Sequence, residues 1–274
     1  MAPAEQGRGY RVVAVRVGTR TTERSDVYLN HRLYGEDDGP ARVDYFFWVV
    51  QGPGGTVVVD TGFSEDAGRK RGRTLLRRPA EALDRLGVDP AAVADVIVTY
   101  AHYDHIGNLD LFPHARIHIS EREYRFWTSH TAEHLQFSFY SEKTEIDKLR
   151  EAESHGRLKL FSGKTEPLPG LRLVEVGGHT PGQAVLYIPT SQGEVLLTSD
   201  AVHFYEELDR DMPFTAVSDL PAMYDAFASI REERRSRGVI VLAGHDPDVL
   251  TRFSACEELP AGAGIAIGNA LKTL

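Results

Sequence analysis

The stretch Thr99 to Asn108 reads Thr-Tyr-Ala-His-Tyr-Asp-His-Ile-Gly-Asn and places His102, Asp104 and His105 within one turn, directly after the β-branched run Val96 to Val98. A strand that ends in His-x-Asp-His projects imidazoles and a carboxylate from a single loop. Such borderline nitrogen and oxygen donors suit zinc, iron, manganese or cobalt. Three further pieces of matching chemistry follow: Gly178-His179-Thr180-Pro181-Gly182, Thr198-Ser199-Asp200 and Ala243-Gly244-His245-Asp246. An exposed polar turn would need none of these partners, so the set reads as a metal site.

The elements that must hold these groups are strands and helices in alternation. Tyr10 to Val17 and Tyr45 to Gln51 alternate as strands, and Thr56 to Val59 follows the turn Gly52-Pro53-Gly54-Gly55. That third strand ends in Asp60, whose carboxylate can accept a hydrogen bond from a metal-binding imidazole and so orient it. Pro79 to Leu86 has the apolar spacing of an amphipathic helix, and Asp89-Pro90 starts a short one. The strand Asp95 to Thr99 then carries the first cluster at its C-terminal end, where α/β proteins place their sites. Arg116 to Ser120 is another strand, and Ser120-Glu121-Arg122-Glu123 has the form of a capping box. From Tyr124 to Leu160 the pattern is helical and aromatic, either a packed layer or, in part, the wall of an apolar pocket. Leu171 to Val176 and Gln183 to Pro189 flank His179, and Val195 to Thr198 delivers Asp200. Asp219-Leu220-Pro221 starts a helix that runs to Arg237 with Gly238 as its stop, before the strand Val239 to Ala243 presents His245.

Composition bounds the function classes. The chain has 274 residues, 42% hydrophobic and 26% charged, ordinary for a globular protein with a full core. A net charge of −9 argues against nucleic acid as a partner. The run Arg69-Lys70-Arg71-Gly72-Arg73 with Arg77-Arg78 is the one contrary sign. It reads as a solvated helix or loop face, with an anion-steering patch beside the site entrance as the other reading. The single cysteine, Cys256, excludes an internal disulfide, fits a reducing compartment and reads as a packed thiol. No stretch is long and apolar enough to span a bilayer, and Met1 to Gly9 is polar rather than a signal-peptide core, so a cytoplasmic protein without membrane contact is expected. His31, His114, His118, His130, His134 and His155 need no special role, although His31 is a candidate to line the pocket.

In Val59-Asp60-Thr61-Gly62, Tyr100 to His105, Gly178-His179-Thr180-Pro181-Gly182, Ser199-Asp200-Ala201-Val202 and Gly244-His245, in that order over roughly residues 44 to 246, the chain resembles the metallo-β-lactamase superfamily and, within it, the N-acyl homoserine lactonase branch. The resemblance implies an α/β protein, a four-layer αβ/βα sandwich, as a single domain over residues 1–274 with an aromatic helical insertion at about 121–160. It also implies one or two divalent metal ions, zinc first, with iron or manganese as alternatives. His102 and His179 fall where the family binds its first metal, Asp104, His105 and His245 where it binds the second, and Asp200 where a carboxylate bridges both.

The family motif His-x-His-x-Asp-His is broken here by Tyr100 at its first position. His102, His179 and Asp200 alone still make a common ligand count for an open catalytic site. Tyr100 could instead ligate as a phenolate, biasing the site toward iron, or donate as a neutral hydroxyl. A second departure is His203, three positions after Asp200, where the lactonases carry a tyrosine. The chain thus reads as having exchanged Tyr and His, with His203 free to ligate the first metal and Tyr100 to take the hydrogen-bonding role.

The expected activity is opening of a lactone, an N-acyl homoserine lactone or a relative, by hydroxide held between the metals. A donor from Tyr100 or His203 would stabilise the oxyanion, and Asp104 would orient the second metal. Thioester or ester hydrolysis, or a metal-assisted cyclisation, is the enzymatic alternative, and a non-catalytic small-molecule binder is the other class. The partner is a small lactone or ester, and the apolar N-terminal third offers a face for a homodimer.

Overall fold

A computed structural model describes residues 9–269; of the polar opening Met1 to Gly9, only Gly9 falls within that range. Thirteen strands are found among the described residues: β1 (Arg11–Glu23), β2 (Pro40–Gly52), β3 (Gly55–Val59), β4 (Thr74–Leu75), β5 (Asp95–Ile97), β6 (Arg116–Ser120), β7 (Leu158–Phe161), β8 (Lys164–Thr165), β9 (Arg172–Glu175), β10 (Ala184–Thr190), β11 (Gly193–Ser199), β12 (Ile240–Ala243) and β13 (Gly264–Ile267). One sheet runs β13-β1-β2-β3-β5-β6-β7 with β4 paired to β1, and the second runs β12-β11-β10-β9-β8.

Strands β1, β2, β3 and β5 of the first sheet are buried on both faces over most of their length, and their period of two divides the core. Val12, Ala14, Phe46, Trp48, Val50, Val57 and Val59 point to the layer between the sheets, against Leu173, Leu186, Ile188 and Leu196. Val13, Val15, Val17, Phe47, Val49, Val58 and Val96 point the other way, against Ala82, Leu83, Ile106, Ile146 and Leu149 of the outer helices. Each large side chain buried in this way stabilises the fold by roughly 1.5–3 kcal/mol. The helix Leu220–Arg237 covers the outside of the second sheet through Met223, Phe227 and Ile230. It starts and stops as the sequence indicates, with Asp219 accepting from the Ala222 amide and Gly238 in the left-handed region at φ 64°. Helices, sheet, sheet and helices thus form the four layers.

Several elements differ from the sequence reading. β1 and β2 pair well beyond their apolar runs, to Glu23 opposite Pro40, because Thr19, Thr21 and Thr22 favour strand without a hydrophobic signal. Asp89 caps only a 3-10 turn, Pro90–Ala92. The segment after Ser120 is helical over Glu121–Trp127, His130–Glu133, Leu135–Ser138 and Lys143–Ser154, but it closes on the strand β7, which takes Leu158 and Leu160 out of the helical stretch. No helix among the described residues is long and apolar enough to cross a membrane.

Parallel pairing positions the site. β3, β5 and β6 run parallel, as do β11 and β12, so the segments that follow β3, β5, β11 and β12 leave from C-terminal strand ends. Those segments begin at Asp60, Val98, Asp200 and Gly244.

One buried carboxyl lies away from this edge. Glu145, on the Lys143–Ser154 helix, receives a hydrogen bond from Ser64 at 3.2 Å on one oxygen, and its other oxygen is buried without a partner. Burial pushes it up to about 8, against the pull of the Ser64 hydroxyl. The folded chain therefore holds a proton that the unfolded chain releases near an ordinary carboxylate pKa of about 4.3. The stability tied to that proton is complete below the unfolded pKa and is lost as pH rises through about 8. Glu145→Gln, isosteric and neutral, is expected to gain on the wild type by roughly 2–4 kcal/mol between pH 5 and pH 9. Denaturant titration at the two pH values measures this; equal differences at both would contradict it.

Candidate metal centre

Four imidazoles share one pattern. His105 has Nδ1 2.7 Å from Asp60 Oδ2, His179 has Nδ1 2.6 Å from the Ala216 carbonyl, and His245 has Nδ1 2.7 Å from the Asp44 carbonyl. His203 has Nδ1 3.2 Å from Glu207 Oε1. For His105, His179 and His245 a hydrogen-bonded acceptor behind the ring fixes orientation and tautomer and leaves Nε2 with a free lone pair, whereas Glu207 stands behind His203 at ion-pair distance without an aligned hydrogen bond. All four Nε2 atoms turn to Asp200: at 3.4 Å from Oδ1 for His105, and at 2.9, 3.1 and 3.7 Å from Oδ2 for His203, His245 and His179. Asp104 completes the ring, with Oδ2 3.8 Å from His245 Nε2 and 4.0 Å from His105 Nε2.

The donors fall into two groups, Asp104 with His105 and His245, and His179 with Asp200 and His203, each with its ligand atoms within 4.8 Å of one another. His102 stands beside the second group without joining it. Its Nδ1 lies 3.1 Å from His179 Nε2, and its ring stacks on Tyr140 at 5.2 Å. Tyr100 is fully buried among His102, His105 and His179 and donates its hydroxyl to Asp200 Oδ2 at 2.6 Å. The imidazole of His203 thus sits in the donor group, and the phenol of Tyr100 donates a hydrogen bond to the carboxylate.

The loops are held together by polar contacts and close backbone approach. Asp60 accepts from the Thr99 amide and hydroxyl, and Thr99 reaches Ser199 at 2.8 Å, so the Asp60 loop and two ligand-bearing loops share one network. Asp60 and Ser199 both sit at positive φ, 55° and 46°, a conformation costing about 1–3 kcal/mol that the surrounding contacts sustain. A Cβ at Gly244 would lie 2.6 Å from the Ser199 carbonyl oxygen, so only glycine lets the two loops approach. Glu123 accepts from the Ala101 amide, Trp127 Nε1, the Thr180 hydroxyl and the Gly182 amide. Ser120 caps the Glu121–Trp127 helix as the sequence suggests, while Glu123 clamps the first ligand loop to the second instead of returning to Ser120.

The electrostatics are those of a cation site. Burial disfavours the imidazolium of His203, but Asp200 and Glu207 overcome it and push the ring up to about 10. His105 is likewise pushed up to about 9, against burial, by Asp60, Asp200 and Asp104. Burial resists ionisation of Asp200, yet His245, His203 and His105 hold it well below the usual carboxylate range. His179, buried and facing His203, is pushed down to about 3. The carboxylates thus demand positive charge at their centre. His105 Nε2, His203 Nε2 and Asp200 Oδ1 are buried and make no hydrogen bond, although each lies against other donors. Close, misaligned and unsatisfied atoms of this kind fit ligands of a shared cation.

A cavity of about 380 Å³ opens over this centre. Tyr45, Tyr100, Tyr103, Tyr140 and Phe214 line it with the ligand candidates, and an aromatic cleft continues past His102 and His179 to Phe126, Trp127 and Phe137. His31 does not line it and instead stacks on Tyr28. Arg71 and Arg73 do line it, contrary to the solvated face read from sequence. Gly72, at φ 66°, reverses the chain between the helix Glu65–Lys70 and β4 and turns both side chains inward. Sequence reading also passed over Glu207, which its spacing of four from His203 on the helix Tyr205–Arg210 could have indicated, and the Asp44 and Ala216 carbonyls, which no side-chain pattern encodes.

Comparison with known proteins gives consistent results. The family model described as Metallo-beta-lactamase superfamily matches residues 42–245. The N-acyl homoserine lactonase AiiA of Bacillus thuringiensis subsp. kurstaki is 26% identical over 221 residues, covering 75% of this chain and 81% of that protein. Metallo-beta-lactamase domain-containing protein 1 of Xenopus laevis is 32% identical over 203 residues, 73% of this chain and 69% of its own. Among solved structures, a quorum-quenching N-acyl homoserine lactone lactonase superposes with a TM-score of 0.73 at 24% identity, covering 88% of this chain and 93% of its own. AidC, a dizinc quorum-quenching lactonase, gives 0.66 at 16% identity, with 97% of each chain covered.

Proposed function

The chain belongs to the metallo-β-lactamase superfamily, and on that premise we propose that it is a metal-dependent hydrolase that opens a lactone ring, an N-acyl homoserine lactone or a related compound. The observation that carries this reading is the common orientation of His105, His179, His203 and His245, whose Nε2 atoms all turn to Asp200, with hydrogen-bonded acceptors behind three of the rings and the Glu207 carboxylate behind the fourth. Asp104, His105 and His245 would hold one divalent cation, and His179, His203 and Asp200 a second, with His102 beside it. Zinc is the first choice for these donors, with iron or manganese as alternatives. Bound there, the ions supply Lewis acidity toward a carbonyl and bring the pKa of water toward neutrality.

This chain's own groups supply orientation and exclusion of water. Tyr100 keeps its proton and, by donating to Asp200 Oδ2, fixes the carboxylate between the two groups. Asp104 fixes the position of one cation while its own charge moderates that cation's acidity. The cleft of Phe126, Trp127, Phe137 and Tyr140 offers apolar surface to an acyl chain.

The test is a pH-stat panel on zinc-loaded protein, with N-acyl homoserine lactones from butanoyl to decanoyl and matching acyl thioesters. Lactone turnover with kcat/KM of at least about 10⁴ M⁻¹ s⁻¹ is expected. It should rise with chain length, since each buried methylene contributes about 0.8 kcal/mol, and Phe137→Ala should flatten that rise several-fold. Turnover of thioesters alone would replace the lactone with that bond, and a metal-loaded protein inert toward both would be a binder rather than an enzyme.

A further inference from the structure

The wall of the cavity carries an arginine that stands in no ion pair among the described residues. Arg73 is half-buried, donates from Nε to the Tyr103 hydroxyl at 3.0 Å and from Nη1 to the Arg71 carbonyl at 2.6 Å, and pairs with no carboxylate among the described residues. Its neighbours differ. Arg71 pairs with Glu142, Lys70 with Glu142 at 3.0 Å, Arg78 with Glu65 at 2.9 Å and Arg20 with Asp26 at 3.4 Å. Arg77 also lacks a carboxylate but does not line the cavity.

Arg73 is separated from the metal centre by one ring. Its guanidinium carbon lies 5.9 Å from the Tyr45 ring centre, and that ring meets His245 edge-on at 5.1 Å. Nη2 has no acceptor and remains available to a ligand. A guanidinium edge matches a carboxylate, and a cavity walled by aromatic rings strengthens the attraction relative to bulk water. Arg20 and Arg71, which line the same cavity, are already offset by Asp26 and Glu142, so Arg73 is the guanidinium of this wall left to meet a carboxylate.

We propose that Arg73 is a specificity-determining residue that binds a carboxylate on the substrate, so that the compound opened at the metal centre is an anionic lactone, with its carboxylate toward Tyr45 and Tyr103 and its apolar part toward Phe126 and Phe137. The lactone in this statement rests on the proposed function; the anion anchor does not.

Two γ-lactones that differ only in ending in a carboxylate or the corresponding carboxamide separate the possibilities. Zinc-loaded wild type is expected to favour the carboxylate at least tenfold in kcat/KM, chiefly through KM, and to lose the preference as salt rises. Arg73→Gln should bring the ratio to within twofold, and Arg73→Lys should restore part of it. A wild-type ratio near one, or one unchanged in Arg73→Gln, overturns the proposal, as would equal slowing of both substrates, which would mark Arg73 as a handler of the carboxylate formed on ring opening. Should neither lactone react, calorimetric titration with hexanedioate decides the anchor separately. Binding at least tenfold weaker in Arg73→Gln supports it, whereas equal affinity in the two proteins removes it.

Discussion

Asp200→Asn is expected to empty both donor groups of metal and to lower lactone turnover by roughly a thousandfold or more. The carboxylate is within 3.7 Å of the Nε2 atoms of His105, His179, His203 and His245, and it accepts a hydrogen bond from Tyr100. Among the described residues no other side chain touches the imidazoles of both groups in this way. The amide keeps the shape of the side chain but loses the charge and one acceptor, so the loss reports on metal holding rather than on packing. Elemental analysis after zinc-supplemented expression, together with pH-stat rates, measures both quantities. A variant that kept two metals per chain and a tenth of the activity would show that the two groups do not share this carboxylate.

The second large effect separates two residues that sequence reasoning could only exchange on paper. His203→Ala is expected to lose one metal equivalent, because it removes a donor from the group with His179 and Asp200. Tyr100→Phe is expected to keep both metals and to slow turnover by about 10–100-fold, the worth of one hydrogen bond to a charged group at about 1.5–3 kcal/mol. Glu207→Gln should lie between, weakening metal affinity at the same group by about 10–100-fold, since Glu207 holds the His203 ring from behind at 3.2 Å. Metal titration against a competing chelator reads all three. Loss of metal in Tyr100→Phe with retention in His203→Ala would make the tyrosine the ligand and reverse the assignment.

The legible parts of this molecule are those in which chemistry and local pattern coincide. His102, Asp104 and His105 follow a β-branched strand, and Asp60, His179, Asp200 and His245 follow or join strands of similar kind, so their gathering at strand ends could be argued from period and turn residues alone. The orienting role of Asp60 was legible for the same reason and has its counterpart in the contact with His105 Nδ1. Edge strand β7 was hidden because Leu158, Lys159, Leu160 and Phe161 are too few to display alternation against a helical background. Glu123 was misread because a capping box is a local pattern, whereas its four donors come from Ala101, Trp127, Thr180 and Gly182.

By itself the sequence determined the donor types, their order and the strand ends from which they project, because these follow from covalent chemistry and from periodicities of a few residues. Only the tertiary structure decided which nitrogen of each imidazole faces inward, that His203 rather than His102 completes a group with His179 and Asp200, and that Arg73 enters the cavity unpaired. Those choices depend on acceptors far away in the chain, such as the Asp44 carbonyl behind His245 and the Ala216 carbonyl behind His179. A contact across so many residues is set by the packing of two sheets, which no window along the chain contains.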